Sequence, residues 1–515
     1  MNCIMLYTMA FQVAAVLPSN TPVGDGTVQL TFDGQTSNLL PIHVVERSLG
    51  IFARNQSGGG PGIIQNFNSE ADQPINSILE AAAPGQTEIL WGTGLGPVVG
   101  DEAASALPGD MPSVPVEIFV GDQQASVTYR GRSGCCVSID QIVFTVPAGV
   151  QLGCYVPVEI RIGNLISNFT TMAIAAQRGP CVDPVHLSAA DVTRVQNGGN
   201  INIGQILFQR FFASITIPGQ GTLQGNVDFG TAQFQQYDAG NLLALGGVFG
   251  HLGSVPSLGS CSVYQFPYED YFGSIFPEVA DPVQRLPLDA GPAINVNGPL
   301  GAKQIPKEDP QSVGYYDAEF GGINPDSDDL PDYLNPGNYT IDNGAGGTGV
   351  PSFMTSMTLP DNLVWTNESA IANIPRTSDL TVTWSGADST QEFVVIIGSS
   401  VNTTAGAGAA FVCSAPANAG SFAVPTRILA ALPPSGNSEQ GPVGFLVVVK
   451  SVLRRTFATL MLKCGTIQDV QAMLRHASLN LPLGTHTQAI PESVKEAVRN
   501  VEQMVSIPDP KGRPV

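Results

Sequence analysis

Apolar and polar residues alternate in two similar segments of the first third of the chain. Residues 114–121 and 156–163 share the sequence Val-Pro-Val-Glu-Ile and place an apolar side chain at every second position. This period of two predicts strands with one face on a core, and the glycine that ends each segment is typical of a tight turn. Residues 141–147 show a third strand pattern between them. Strands at such short spacing, with no helical periodicity between them, predict an antiparallel β-sandwich.

The succession of these segments occurs earlier in the chain as well. Residues 11–38 contain the same order of strand-like segments as residues 142–168. The earlier copy has no counterpart of the strands that open the later one, and half a sandwich leaves edges and core exposed. We therefore expect residues 1–52 to be a truncated half-sandwich and residues 79–178 a complete sandwich domain. On this hypothesis, the natural start of the protein and any export signal lie upstream of Met1.

Residues 185–450 are expected to be further β structure, with strands such as 201–208, 380–384, 392–397 and 444–449 separated by loops rich in Gly, Pro, Asn and Asp. One loop places Asp326, Asp328 and Asp332 at even spacing, which makes them candidate calcium ligands. The glycine and terminal glutamate of an EF-hand loop are missing, and a solvated acidic loop is the alternative interpretation. Calcium is the one cofactor considered, and no other is expected.

The charge of the chain limits its partners. It carries 22 basic and 43 acidic residues, for a net charge of −21. Such a surface repels phosphate backbones and anionic membranes, so nucleic-acid binding by the bulk of the chain is disfavoured. No apolar run has the length of a transmembrane helix, and no membrane span is expected. Residues 451–515 differ from the rest of the chain in their net positive charge. They contain 8 basic and 5 acidic residues, which gives a net charge of +3.

Cysteine usage indicates an oxidising compartment. Four of the eight cysteines fall within residues 135–181, and none has the spacing of a zinc site. We expect disulfides, although buried free thiols in a reducing cytosol are the alternative. The candidates for disulfide bonding are Cys135, Cys136, Cys154, Cys181, Cys261 and Cys413.

Four segments of the sandwich region resemble a known family. Residues 90–97, 115–118, 140–147 and 153–158 are similar to the Solibacter-type Ig-like domain, an uncharacterised module near the C-termini of acidobacterial secreted proteins. The resemblance covers residues 1–180, the first copy only in part. It implies Ig-like β-sandwiches in an exported protein and supplies neither an activity nor a site.

The hydrophobic period changes near residue 452. Apolar residues then recur at helical spacing, beginning with Leu453, Phe457, Leu460 and Met461, and a proline at position 491 is placed to open a further helix. We therefore expect residues 451–515 to form a short helical segment, distinct in composition and in secondary structure from the rest.

This segment resembles the C-terminal end of a tyrosine recombinase (phage integrase). The similarity lies in residues 453–460, 469–471, 476–478 and 486–494. It implies that Arg454 is the family's second catalytic arginine and His476 a catalytic histidine. Ser451 stands where the family has a histidine, and His486 where it has the nucleophilic tyrosine. Strand cleavage requires a tyrosyl oxygen to attack phosphorus, so we expect this tail to be unable to recombine DNA.

The sequence thus predicts a mainly β fold, with tandem Ig-like β-sandwich modules followed by a short α-helical C-terminal segment. No GxSxG or HExxH motif occurs. We expect a non-catalytic, exported surface or adhesion scaffold with a protein or polysaccharide partner, and a tail acquired by fusion or by a gene-model error. One alternative is a cytoplasmic DNA recombination protein that contacts DNA only through the tail. Another is a hydrolase within residues 185–450.

Overall fold

The computed structural model is mainly β. Of the residues that it describes, 52% lie in strands and 7% in helices, and the strands form several sheets. It describes residues 1–9, 12–56, 58–182, 189–217, 221–244, 256–267, 285–307, 312–322, 331–359, 361, 363–371, 373–386, 392–402, 404–438, 441–442, 444–452 and 460–464. For residues 209, 211–217, 221–225, 437–438, 441–442, 451–452 and 460–464 only the backbone is described.

Residues 1–45, here the first copy, consist of three small antiparallel pairs. Their strands are β1 (Ile4–Thr8), β2 (Val13–Val16), β3 (Gly24–Val28), β4 (Thr31–Phe32), β5 (Gln35–Thr36) and β6 (Leu40–Val44). β1 pairs with β2, β3 with β6, and β4 with β5. The loop after β2 attaches this copy to the next one, because the backbone N–H of Ser19 donates to Glu102 at 2.8 Å.

Residues 49–181, here the second copy, form two connected sheets around one core. The strands are β7 (Gly50–Ile51), β8 (Ile64–Asn66), β9 (Thr87–Thr93), β10 (Gly109–Asp110), β11 (Val116–Val120), β12 (Gln123–Arg132), β13 (Asp140–Thr145), β14 (Gly153–Ile162), β15 (Leu165–Ile166) and β16 (Thr170–Ile174). The long strand β12 pairs with β11 at its start and with β13 further on, so it belongs to both sheets. The apolar positions of the alternating pattern, such as Ile118 and Val158, are fully buried in the shared core. β7 and β8 also pair with β9, which extends the sheet to residues before the predicted start at 79.

The two copies have the same strand register. In the first copy Gly26 lies opposite Ile42, and in the second Val156 lies opposite Met172, so Gly26 and Val156 are equivalent positions. The turn that follows keeps the same correspondence, since Phe32 pairs with Gln35 as Ile162 pairs with Leu165. The copies also share a side-chain contact. The Ser37 hydroxyl accepts from the Leu30 N–H at 3.0 Å, and the Ser167 hydroxyl accepts from the Ile160 N–H at 2.9 Å.

The rest of the described chain contributes two further modules. In chain order its elements are α1 (Ala189–Gln196), β17 (Ile201–Ile217), β18 (Gly221–Tyr237), α2 (Ala239–Ala244), β19 (Cys261–Pro267), β20 (Leu286–Pro287), β21 (Ala293–Gly298), β22 (Gly301–Pro306), β23 (Tyr315–Gly322), β24 (Gly337–Asp342), β25 (Met354–Leu359), β26 (Val364–Trp365), β27 (Leu380–Ser385), β28 (Glu392–Asn402), β29 (Ala407–Pro416), β30 (Ser421–Val424), α3 (Thr426–Ala430), β31 (Asn437–Ser438), β32 (Gly441–Pro442), β33 (Gly444–Val452) and β34 (Leu460–Cys464), with short 3-10 helices at Glu368–Ala370 and Ala417–Ala419.

The third module packs two four-stranded sheets on an aromatic core. One sheet contains β17, β18, β20 and β23, and the other has the order β22-β21-β24-β25. Phe208, Phe320, Tyr333 and Tyr339 lie between them with ring centroids 5.0–6.0 Å apart. Edge-to-face and tilted contacts of this kind stabilise a core beyond simple area burial.

The fourth module is built on a five-stranded sheet of order β19-β29-β28-β33-β34, covered by the smaller sheet β26-β27-β30. β28 is buried on both faces along nearly its whole length, which explains its continuous apolar sequence. The strands expected near residues 201, 380, 392 and 444 are all present.

The expected helical tail is wrong for its seven described residues, of which Ser451 and Val452 end β33. Leu460–Cys464 is a strand, antiparallel to β33, with Leu460 opposite Ser451. Strand addition gives the exposed edge of β33 hydrogen-bonding partners, and this gain outweighs the helical spacing of Leu460 and Met461. The remainder of the expected helical segment, residues 453–459 and 465–515, lies outside the described residues.

Candidate functional site

Of the three calcium candidates, the structure describes only Asp332. Asp326 and Asp328 lie outside the described residues. The Asp332 carboxylate lies 3.7 Å from the Arg210 guanidinium and accepts a hydrogen bond from the Asn226 side chain. Within the described ranges, no group of three or more His, Cys, Asp and Glu side chains is placed to hold a metal ion. Asp332 is therefore placed as an ion-pair partner of Arg210.

A buried ion pair between Arg210 and Asp228 lies beside Asp332. Arg210 donates two hydrogen bonds to Asp228, at 2.6 and 2.7 Å, from directly opposite positions of β17 and β18. Asp228 also accepts from the backbone N–H groups of Tyr333 and Leu334, at 2.7 and 2.8 Å. A buried carboxylate with this many partners is fully compensated, so the pair fixes a loop rather than performing chemistry. In the sequence, this ion pair could have been recognised from two opposite charges at facing positions of a long apolar hairpin.

The residues matched to the recombinase family are mostly beyond what the structure describes. Arg454, His476 and His486 lie outside the described residues, so their proposed roles stay predictions. Ser451 belongs to β33, where it pairs with Phe393 of β28.

Four of the six cysteine candidates are joined in two disulfides. Cys154 is bonded to Cys181, and Cys261 to Cys413. All four side chains are buried. Cys261 and Cys413 are direct partners across β19 and β29, which brings together residues 152 positions apart. Cys135 and Cys136, which follow β12, are instead free and exposed.

The fourth module contains a cleft of about 1000 Å³. One wall is apolar and includes Trp365, Phe411, Leu429 and Leu446. The cleft lies where β28, β29 and β33 meet the segments that follow β26 and α3. Its lining residues are scattered between Trp365 and Arg376, between Gly398 and Phe411, and between Leu429 and Leu446. For this reason no single sequence motif indicates the cleft.

Polar groups at the rim of the cleft are held in place by hydrogen bonds. The Ser400 hydroxyl donates to the Pro433 carbonyl at 2.7 Å and lies 2.8 Å from the Ser435 hydroxyl. The Arg376 guanidinium donates to the carbonyls of Leu429 and Ala430, at 3.3 and 2.6 Å. An apolar wall with a few fixed polar groups is the usual form of a ligand-binding cleft.

Few ionisable side chains line the described part of the cleft. Among the described residues that line it, Glu368 is the sole acid and Arg376 the sole basic residue, with no histidine or cysteine. Glycosidases use a pair of carboxylates, and acyl transfer uses a nucleophile beside a base.

Arg427 joins the fourth module to the second copy. Its guanidinium lies 2.7 Å from Glu159 of β14, 2.8 Å from Asp122, and 4.8 Å from the ring centre of Phe119. Burial raises the pKa of the Glu159 carboxyl to about 7, although Arg427 acts in the opposite direction. A fully desolvated carboxylate of this kind requires its cation, so Arg427 fixes the contact between α3 and the second copy.

Comparisons with known proteins do not identify a family for this chain. No protein-family model matches the chain, and no curated protein matches it. Similar solved structures include an endo-fucoidan hydrolase of glycoside hydrolase family 107, at 10% identity over 79% of this chain and 44% of that chain, with a TM-score of 0.10. This chain therefore spans less than half the length of that enzyme.

Two further structures are similar at the same low level. A chemokine-binding protein encoded by rodent gammaherpesvirus Peru is 6% identical over 79% of this chain and 87% of that chain, with a TM-score of 0.10. The BSP domain of a biofilm-associated protein is 8% identical over 76% of this chain and 97% of that chain, also with a TM-score of 0.10. At these scores the likenesses bear on neither fold nor function.

Among the described residues, no helix combines the length and the apolar character needed to cross a bilayer.

Proposed function

We propose that this protein is an exported, non-catalytic β scaffold that acts at or beyond the cell surface. The observation that carries the proposal is the pair of buried disulfides, Cys154–Cys181 and Cys261–Cys413. Structural disulfides persist in oxidising compartments and are rare in the reducing cytosol. The mainly β architecture and the two register-matched copies support a scaffold, and they support the Ig-like assignment of residues 1–52 and 79–178.

The cleft of the fourth module is the binding site we propose for this scaffold. Its apolar wall around Trp365 and Phe411 and its fixed hydroxyl groups suit a protein side chain or the apolar face of a sugar. Its partner is therefore a surface protein or a polysaccharide.

The two alternatives have weaker support. DNA recombination rests on Arg454 and His476, which lie outside the described residues, and on a tail with histidine in the nucleophile position. A hydrolase within residues 185–450 requires paired catalytic groups, and the described lining of the cleft offers a single carboxylate. Neither is favoured by a contact in the described part of the chain.

The test is fractionation of native cells with an antiserum, combined with activity assays of the purified protein. We expect the protein in the extracellular or envelope fraction and no turnover of glycoside or ester panels. Exclusive recovery from the cytosol would contradict export. Turnover that is lost in a Glu368→Gln variant would instead support the hydrolase alternative.

A further inference from the structure

Two adjacent cysteines lie in a hairpin loop of the second copy. Cys135 and Cys136 belong to the loop between β12 and β13, and both are free and exposed. Cysteine is among the residue types most often buried in proteins, and the four disulfide-bonded cysteines described above are all buried. This exposed pair therefore contributes neither to a core nor to a cross-link within the described chain.

The loop that carries the pair is fixed at its base. Arg132 and Asp140, which face each other across β12 and β13, form a buried ion pair. The Arg132 guanidinium also donates to the Gly96 carbonyl at 2.9 Å. The backbone N–H of Ser133 donates to the Ile139 carbonyl at 2.9 Å and closes the loop. Groups that are held in place before binding lose less conformational entropy when a ligand binds.

The two thiols of this loop contact each other. A hydrogen bond to Cys135 raises the pKa of the Cys136 thiol, which places the two side chains together. The Ser133 hydroxyl lies 3.3 Å from the Cys135 sulfur. A disulfide between these neighbours is disfavoured, because Cα atoms joined by a trans peptide are about 3.8 Å apart, closer than in most disulfides. The loop thus presents two thiols side by side.

The type and number of these groups decide which ligand suits them. Thiolates are soft ligands that select copper(I), zinc and iron–sulfur clusters. Zinc and iron–sulfur sites need roughly three or four protein ligands. In the part of the chain that is described, no third His, Cys, Asp or Glu side chain joins the pair to hold a metal ion. Copper(I), a soft ion of low coordination number, is satisfied by two thiolates.

We propose that Cys135 and Cys136 form a copper(I)-binding site on the surface of the second copy. The ion takes both sulfur atoms as ligands, and the two thiols release their protons to solvent as it binds. No electron is transferred in this step, because the ion enters and leaves as copper(I). This inference is independent of export and of the cleft.

The experiment titrates the full chain, in the absence of oxygen, into copper(I) held by the coloured chelator bicinchoninate. Loss of the chelator colour measures transfer of copper(I) to the protein, and we expect about one equivalent per chain. Cys135→Ser and Cys136→Ser each remove one of the two ligands, so each variant should bind at least roughly tenfold more weakly. Cys3→Ser is the matched control, since Cys3 is a free cysteine outside the loop, and it should bind like the parent chain.

Two further measurements locate the ion and check the fold. X-ray absorption at the copper edge of the loaded parent chain should show two sulfur neighbours, one from each cysteine of the pair. Urea unfolding of Cys135→Ser and Cys136→Ser without copper should match that of the parent chain, because both side chains are exposed. A loss of copper binding in these variants is then a loss of ligands and not of structure.

Three results would overturn the proposal. The first is no transfer of copper(I) to a chain in which a thiol reagent still labels Cys135 and Cys136. The second is equal affinity of the parent chain and both loop variants, which would place the ion elsewhere. The third is a disulfide at either residue in the native protein, since the pair would then not be free to bind.

Discussion

At the residue scale, Glu88 is the least expected side chain. It lies in β9 opposite Phe144 and is fully buried in the second copy. Neither of its carboxylate oxygens has a hydrogen-bond partner within the described chain. Burial raises the pKa of this carboxyl from 4.5 to about 9. Glu88 is therefore protonated and neutral in the folded protein at neutral pH, because a bare buried carboxylate would be too costly.

This assignment predicts how stability changes with pH. Between pH 4.5 and about 9 the unfolded chain ionises Glu88 and the folded chain does not, so the free energy of unfolding falls as pH rises. Each pH unit in that window costs about 1.4 kcal/mol. Glu88→Gln removes the titration. The free energy of unfolding of this variant, relative to that of the parent chain, should therefore rise by roughly 4 kcal/mol between about pH 5 and about pH 8.

Urea unfolding of both chains across this pH range checks the prediction. The exposed Glu70 provides a matched control, since Glu70→Gln should follow the parent chain at every pH. A stability difference between Glu88→Gln and the parent chain that stays constant with pH would rule out a buried neutral carboxyl.

The ion pair between Arg427 and Glu159 leads to a second prediction at the residue scale. Arg427→Ala leaves Glu159 buried without its cation, so we expect a loss of roughly 3–5 kcal/mol and a rise in the pKa of Glu159 above about 7. Adding Glu159→Gln to that variant should recover part of the loss. Arg161→Ala is the control, because the half-exposed Arg161 lies 3.9 Å from Glu117, and a surface pair of this kind contributes roughly 0–1 kcal/mol. Equal effects of the two arginine variants in urea unfolding would contradict the assigned role.

At the element scale, the sequence was informative wherever one face of a strand is buried. The alternation in residues 114–121 predicted β11, whose burial has the same period of two. The alternation in residues 156–163 predicted the end of β14, although that strand is buried on both faces as far as Ile160. The repeated order of segments predicted two copies, and the strand register that the copies share agrees with it. The short strands β7 and β8 were missed, since two or three residues carry no period.

The tail shows the limit of local periodicity. Leu460 and Met461 fit a helical spacing, yet Leu460–Cys464 pairs with β33. Short apolar runs are ambiguous between helix and strand, and a long neighbouring edge decides in favour of the strand.

The cleft could not be predicted from sequence for a different reason. It is lined from three segments that lie far apart in the chain, the first beginning at Trp365 and the last ending at Leu446. Its residue types, namely aromatic, leucine, serine and proline residues, are those of any β core. The cysteines were more informative, because disulfide chemistry restricts the compartment whatever the fold.

At the scale of the whole molecule, the modules are joined by shared apolar clusters and by a few polar contacts. Tyr155 and Ala173 of the second copy pack in one cluster with Ile201 of β17 and Tyr237 of β18, and Phe169 of the second copy packs in the core of the fourth module. The Cys261–Cys413 bridge ties β19 into the sheet of the fourth module, and Arg427 ties that module to the second copy. This organisation, with a net charge of −21, is compatible with the exported scaffold that we propose.

The most direct test of the exported scaffold is the thiol state of the native protein. The protein is denatured, alkylated without reductant, then reduced, alkylated with a second reagent and mapped by mass spectrometry. We predict the first label on Cys135 and Cys136, and the second label on Cys154, Cys181, Cys261 and Cys413. First label on all of these cysteines would show a reduced protein and would contradict the account.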